Sequence, residues 1–118
     1  MRAKDAVGRY GEDVAVRHLQ AAGLTVLARN WRCPVGEIDV VATEGTTLVV
    51  CEVKTRSSAA YGMPAEAITH RKAAKLRELA LCWLREHPHS RGDVRFDVVS
   101  VLRSAAGAAA VEHLRGVL

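Results

Sequence analysis

Two apolar runs separated by a short turn segment constrain this sequence more than any other feature. Residues 37–43 and 47–54 are rich in β-branched side chains, and the glycine-containing segment 44–46 lies between them. This pattern predicts a β-hairpin. Each run nevertheless contains a carboxylate, Asp39 in the first and Glu52 in the second, among neighbours that belong in a core. Because an uncompensated buried charge is costly, something must neutralise these two groups.

The length of the turn decides which side chains face each other across the hairpin. A two-residue loop, Gly45-Thr46, sets Asp39 opposite Glu52, and a four-residue loop keeps the same register. A three-residue loop instead sets Asp39 opposite Cys51. In the even-loop register the Cβ atoms of the two acids stand ~5 Å apart, which destabilises a sheet unless a cation or a proton lies between the carboxylates.

A divalent metal is the cation that best suits two opposed carboxylates. With Mg²⁺ or Mn²⁺ held by Asp39 and Glu52, the pKa of a bound water falls and a nucleophile forms. Lys54 lies two residues beyond Glu52 and therefore on the same face of the strand, where it would orient that water or offset charge on a phosphate. The spacing thus suits phosphodiester hydrolysis. A purely structural ion-pair network that also includes Arg56 is the alternative.

The rest of the chain predicts helices on a sheet that extends this hairpin. Apolar residues at three- and four-residue steps over 3–22, followed by Gly23, indicate a helix. Thr69 is placed to cap a second helix that runs to about His87. The other predicted segments are strands over 25–32, 93–102 and, more weakly, 108–114, a loop over 57–62 and a short helical turn from Pro64. The order αβββαβ, with an optional last strand, predicts an α/β fold in which helices flank a mixed sheet.

Composition and charge narrow the class of protein. The 118 residues, 49% of them hydrophobic, suit one domain over 1–118 with a packed core. No apolar run reaches the ~20 residues of a membrane span and the N-terminus lacks an apolar stretch, so we expect a cytoplasmic protein with no membrane partner. The net charge of +4 resides between Thr69 and Arg91, which include six basic and two acidic residues. This segment suggests an anionic partner such as nucleic acid, with a solvated helix face as the alternative.

Five segments in order carry a family resemblance that spans nearly the whole chain. They are Gly11-Glu12-Asp13, Arg29-Asn30-Trp31-Arg32, Gly36-Glu37-Ile38-Asp39, Glu52-Val53-Lys54-Thr55-Arg56 and Arg95-Phe96-Asp97-Val98-Val99. Together they resemble the YraN-type family of small bacterial proteins. The acids and the lysine among them also resemble the PD-(D/E)xK nuclease superfamily, and within it the Holliday-junction resolvases.

This resemblance implies a restriction-endonuclease-like fold and a metal-dependent endonuclease acting on DNA, including branched or otherwise structured DNA. Asp39 and Glu52 match the metal-binding acids of the superfamily, and Lys54 matches its catalytic lysine. Glu12 matches the helix acid that completes the site in resolvase-like members, although it also suits a first-turn glutamate favoured by the helix dipole. The residue before Asp39 is Ile38, where the name of the superfamily has proline. A resolvase needs two sites facing one branched substrate, which implies a homodimer.

Basic side chains near these segments are candidates for phosphate contact, which would bind DNA broadly and weaken steeply with salt. They are Arg29, Arg32, Arg56, Arg71, Lys72 and Lys75. Trp31 suits the core better than base stacking, since aromatic residues make up only 4% of the chain. A second hypothesis is a nucleic-acid-binding or adaptor protein that keeps the fold without cleaving. A third is an interaction domain in which the acids and lysine form only a structural ion-pair cluster.

Overall fold

A computed structural model describes residues 6–56, 69–90, 92–104 and 107–118 of the chain. Within these ranges the order of elements is αβββαββ: α1 (Ala6–Ala21), β1 (Thr25–Cys33), β2 (Gly36–Glu44), β3 (Thr47–Arg56), α2 (His70–Glu86), β4 (Val94–Leu102) and β5 (Ala110–Leu114). The predicted order is confirmed, including the last strand, whose sequence signal is weak. The loop predicted over 57–62 and the turn predicted from Pro64 lie outside the described residues.

Local signals in the sequence set the end of α1 and the start of α2. Gly23 has a φ of 96°, and the Leu24 amide donates to the Leu19 carbonyl at 3.0 Å, a helix ending that favours glycine because it adopts positive φ without strain. At the start of α2, the Thr69 Oγ1 accepts a hydrogen bond from the Lys72 amide at 3.1 Å. This cap places Lys72 in the first turn of α2. Neither helix is long and apolar enough to cross a membrane.

The strands of the described chain form one mixed sheet in the order β1-β2-β3-β4-β5. β3 and β4 run parallel, whereas the other neighbours are antiparallel. A parallel pair needs a long crossover, which contains α2. α1 packs on one face of the sheet, with Leu19 in a cluster that includes Val49, and α2 packs on the other, with Leu79 and Trp83 near Val50. This layered arrangement is that of a restriction-endonuclease-like fold.

Trp31 belongs to the core on the α2 side of the sheet. Its ring lies edge-on to that of Trp83, with the ring centroids 5.2 Å apart. Aromatic pairs favour this geometry because the positive ring edge of one meets the negative face of the other. Trp31 is half-buried there. The predicted core position is therefore confirmed.

The β2–β3 hairpin has the even register on which the predicted site depends. Its loop consists of residues 45 and 46, and the ladder of paired residues runs to Val40 opposite Cys51. Continued one residue beyond the last pair of the ladder, the same register would set Asp39 opposite Glu52. The hairpin therefore brings the two predicted metal-binding acids to one level of the sheet.

At the level of Asp39 and Glu52, β1 and β2 both interrupt the regular alternation of side chains between the two faces of the sheet. In a regular strand, residues three apart lie on opposite faces of the sheet. Ala28 and Trp31 nevertheless pack on the same α2-side core, and so do Ile38 and Val41. Between the first two, Asn30 has a φ of 51°, a left-handed conformation that asparagine adopts more readily than most residues. The break in alternation lies beside the opposed acids of the hairpin.

Candidate functional site

Asp39 is held to β3 by a hydrogen bond of its side chain. Its Oδ2 accepts from the Val53 amide at 2.9 Å. Val53 stands between Glu52 and Lys54 along the strand. The contact therefore joins the Asp39 carboxylate to the segment of β3 that carries the other two residues predicted from the hairpin.

Glu52 uses its two carboxylate oxygens very differently. Its Oε1 forms ion pairs with Lys72 Nζ at 2.8 Å and with Lys54 Nζ at 3.3 Å. Its Oε2 is buried and has no hydrogen-bond partner in the part of the chain that the structure describes. A buried carboxylate oxygen without a donor has lost its hydration without compensation, which is costly. Oε2 is therefore free to accept a ligand.

The two lysines at Glu52 affect each other as well as the carboxylate. Burial lowers the pKa of Lys54 below its usual value, and the neighbouring ammonium of Lys72 lowers it further. Burial alone would also lower the pKa of Lys72, but contact with Glu52 and the nearby charge of Asp39 raise it above its usual value. Two carboxylates and two ammonium groups thus form one electrostatic cluster, to which α2 contributes Lys72.

Glu12 is buried on the α1 side, with 1% of its surface exposed. α1 approaches β3 so closely at Gly11 that a Cβ there would overlap the side chain of Thr55, and this contact brings Glu12 down to the sheet. The Glu12 Oε1 accepts hydrogen bonds from Asn30 Nδ2 at 2.6 Å and from Arg29 Nε at 3.3 Å. Glu12 is thus turned toward the sheet, and its partners are side chains of β1.

The acids do not form one three-membered group. Among the described residues, no set of three or more His, Cys, Asp or Glu side chains is arranged as metal ligands would be. The hairpin supplies Asp39 and Glu52 as a pair, whereas Glu12 is engaged with Asn30 and Arg29. The ion pair between Glu52 and Lys54 that the structural alternative requires is present. That alternative leaves the second oxygen of Glu52 unexplained.

The basic candidates divide into those that are already paired and those that line a groove. Arg29 contacts Glu12 and Asp13, and Arg32 Nε lies 3.1 Å from Glu37 Oε2. Arg56 is half-buried at the end of β3. An open cavity of about 590 Å³, called here the α2 groove, is lined by Thr69, Arg71, Lys72, Ala74, Lys75 and Glu78. The structure thus brings Arg71 and Lys75 beside Lys72, and hence close to Glu52.

Comparison with known proteins places these residues in a family. The family model described as "Uncharacterised protein family UPF0102" matches residues 11–101. The chain belongs to the UPF0102 family. It is 64% identical to a UPF0102 protein of Beutenbergia cavernae over 117 residues, 99% of each chain, and 60% identical to one of Frankia casuarinae over 116 residues, 98% of each. A UPF0102 protein of Kineococcus radiotolerans is 58% identical over 118 residues, covering 99% of this chain and 97% of its own.

The UPF0102 match includes the whole cluster around Glu52 and two contacts that sequence reasoning missed. The first is the hydrogen bond from Asn30 to Glu12. The sequence indicates it only by an asparagine between predicted strand residues, since asparagine tolerates left-handed backbone. Lys72 was expected at a phosphate, not at Glu52. The signal for that contact was the cap at Thr69 three residues earlier, which sets where the first turn begins but not what it approaches.

Proposed function

We propose that this UPF0102 protein is a metal-dependent endonuclease that hydrolyses phosphodiester bonds in DNA. Asp39 and Glu52 would hold Mg²⁺ or Mn²⁺, and Lys54 would act on the attacking water. The observation that carries the proposal is the buried, unpartnered Oε2 of Glu52, at the level of Asp39 and beside two lysines. A structural ion pair has no need of such an oxygen.

The donor set fits a magnesium site of the open kind. Mg²⁺ prefers hard oxygen ligands, and in phosphate-processing enzymes one or two carboxylates commonly hold it together with waters and substrate phosphate. Asp39 and Glu52 are such a pair. When bound, the metal would lower the pKa of a coordinated water and polarise the phosphate. In this proposal Glu12 supports the site through Asn30, at the level where β1 faces the hairpin.

The side chains of the chain itself would position the substrate. Asp39 is oriented by the Val53 amide, so its carboxylate does not have to reorganise when a ligand arrives. Lys54 contacts Glu52 and is 28% exposed, so its ammonium would orient water and offset charge that develops on the phosphate. The basic side chains of the α2 groove would hold the phosphate backbone without reading sequence.

The substrate in this proposal is DNA that is branched or otherwise structured, because phosphate contacts carry no sequence information and the fold resembles that of junction resolvases. Cleavage of a branched junction requires two sites on one substrate. We therefore also propose that the active form is a homodimer.

A non-catalytic DNA-binding or adaptor protein is the second candidate function. Two observations favour it: Lys54 and Lys72 already neutralise one oxygen of Glu52, and no three-acid group occurs among the described residues. In that case the acids would serve only to place the lysines. Removing Glu52 would leave DNA affinity unchanged or improved.

A metal titration separates these two functions without requiring knowledge of the substrate. Mn²⁺ is titrated by calorimetry into the native protein and into Asp39→Asn, Glu52→Gln and Glu78→Gln, after circular dichroism has established that each is folded. Glu78 is the matched control, since it is an exposed carboxylate of the same groove outside the acid pair. We expect binding in the native protein and in Glu78→Gln, and loss of at least tenfold in affinity in the other two, about 1.4 kcal/mol.

The opposite results are equally informative. Equal Mn²⁺ affinity in all four proteins would place the metal elsewhere and contradict the proposed site. Absence of binding in all four, both alone and with a four-way DNA junction present to supply phosphate ligands, would favour the adaptor function.

A further inference from the structure

The first turn of α2 has the wrong charge for a helix start. The first three helical residues after the Thr69 cap are His70, Arg71 and Lys72, and the first turn contains no acid. The N-terminal end of a helix carries partial positive charge, so acids stabilise it and bases do not. Lys72 also occupies the third helical position, where a glutamate or glutamine completes a capping box. A local preference violated at two successive positions, Arg71 and Lys72, indicates a role outside helix stability.

Lys72 approaches Glu52 more closely than the strand lysine does. Its Nζ lies 2.8 Å from Glu52 Oε1, against 3.3 Å for Lys54, and the two ammonium groups therefore crowd on one oxygen. The crowding is balanced because Asp39 also attracts Lys72. Two negative and two positive side chains make the cluster neutral as it stands. A divalent cation added to this cluster would create an excess of two positive charges, so the free energy favours departure of one ammonium.

Lys72, unlike Lys54, lines a second surface to which its ammonium can move. It lines the α2 groove together with Arg71 and Lys75, so the same side chain borders both the acid pair and the surface proposed for phosphate. Its long flexible stem allows the ammonium to exchange between these positions. Lys54 does not line the groove, and it projects from the strand that also carries Glu52.

We infer that Lys72 is an exchangeable counter-ion of the carboxylate pair: it neutralises Glu52 in the metal-free protein and moves to a DNA phosphate in the groove when a divalent cation takes its place. The inference rests on the proposed metal-dependent function of the same site. Metal and DNA would therefore each favour binding of the other. The metal displaces the Lys72 ammonium from Glu52 toward the groove, and DNA phosphate in the groove draws the same ammonium away from the metal site. Lys72 is thus a positioning residue whose contact changes between states.

The inference predicts opposite effects of one substitution on two ligands. In Lys72→Met the competitor for Glu52 is gone, so Mn²⁺ should bind at least tenfold more tightly, because a like charge has been removed from beside the metal. In buffer that contains Mn²⁺, where Lys72 would contact phosphate, the affinity of Lys72→Met for a fluorescent DNA duplex should fall, and the slope of log affinity against log salt should decrease by about one. An ordinary phosphate-binding lysine would change only DNA affinity.

Two further variants make the experiment specific. Lys75→Met removes a lysine of the same groove one turn further along α2, and it should weaken DNA binding while leaving Mn²⁺ affinity unchanged. Lys72→Arg keeps the charge and should restore native Mn²⁺ affinity. Each variant is first compared with the native protein in thermal unfolding, and Lys72→Gln, which also removes the charge, provides the test if Lys72→Met does not fold.

The outcomes distinguish failure of this inference from failure of the proposed function. Mn²⁺ binding that depends on Glu52 but is unchanged or weaker in Lys72→Met overturns the counter-ion role and leaves the metal site standing. Tighter binding in Lys72→Met, or binding that first becomes measurable there, supports it. If neither the native protein nor Lys72→Met binds Mn²⁺, the metal site and the counter-ion role are both contradicted.

Discussion

Two acids on the central pair of parallel strands, Asp97 of β4 and Glu52 of β3, lie in opposite situations. The Asp97 side chain is fully buried, and each of its oxygens has two donors. Oδ1 accepts from Arg95 Nε at 2.9 Å and the Gly116 amide at 3.0 Å, and Oδ2 from Arg95 Nη2 at 2.9 Å and His113 Nε2 at 2.7 Å. Glu52 has both of its ammonium partners on one oxygen and no hydrogen-bond partner on the other within the described chain.

This contrast separates an acid that holds the fold from one that would receive a ligand in the proposed function. The donors to Asp97 come from its own strand, from β5 and from the segment after it, so the carboxylate fastens the edge strand to the sheet. A fully satisfied buried carboxylate has no capacity left for a metal or a substrate. Glu52 keeps one of its two oxygens unused. In the proposed function, a bound ligand would occupy that oxygen and offset the cost of its burial.

The largest expected effect is a loss of stability when Asp97 is substituted, which substitution of Glu52 should not produce. Asp97→Ala leaves Arg95 and His113 without their carboxylate, and breaking a buried pair in this way costs about 3–5 kcal/mol. Glu52→Gln should cost less than about 1 kcal/mol, because its lysine partners keep access to water. Urea unfolding of both variants measures the difference. Similar losses in the two would remove the distinction between the acids.

Acid titration sharpens the same comparison. Burial alone would raise the pKa of Asp97, but hydrogen bonds from Arg95, Gly116 and His113 hold the pKa below its usual value. Because this pKa is lower in the folded than in the unfolded protein, the stabilisation is complete above the unfolded value of about 3.9 and is lost as the pH falls through the folded value. Native stability should decline more steeply there than that of Asp97→Asn, and parallel curves would contradict the assignment.

Glu12 provides an intermediate case, a buried acid held by one close amide. Asn30→Ala removes the donor and also places at φ 51° a residue that adopts left-handed backbone less readily than asparagine, for a combined loss of about 3 kcal/mol. Asn30→Gly removes only the donor, since glycine accepts this backbone, and should cost about 2 kcal/mol. Chemical unfolding of the two variants separates the hydrogen bond from the strain. A loss below about 0.5 kcal/mol in both would mean that Glu12 does not depend on Asn30.

The smallest expected effect is a gain of stability, from a substitution in the first turn of α2. Arg71→Glu replaces an exposed base with an acid in the first turn of α2 and should raise stability by about 0.5 kcal/mol while lowering DNA affinity. Arg85→Glu in the last turn is the matched control and should lower stability by a similar amount, because bases are favoured there. Thermal unfolding at low salt checks both. A loss of stability in Arg71→Glu would mean that the basic first turn serves the fold.

Local patterns were sufficient to predict most of the fold. Alternating apolar residues, the glycine after α1 and the Thr69 cap each act within a few residues of chain, so element order and bounds follow from them. The two-residue loop likewise determines the register of the hairpin, which pairs Val40 with Cys51 one residue before the two acids. The left-handed Asn30 could not be predicted in this way, because many asparagines in strands have ordinary backbone angles.

By itself, therefore, the sequence determined the hairpin, its register and the acids and lysine that one strand period places on a common face. Only the tertiary structure decided that Lys72 shares Glu52 with Lys54, that Asn30 rather than a metal-ligand group meets Glu12, and that Asp97 is enclosed by donors from β5 and beyond. The physical reason is distance along the chain. Periodicity and capping act between near neighbours, whereas these contacts form only when the helices pack on the sheet and β5 pairs with β4.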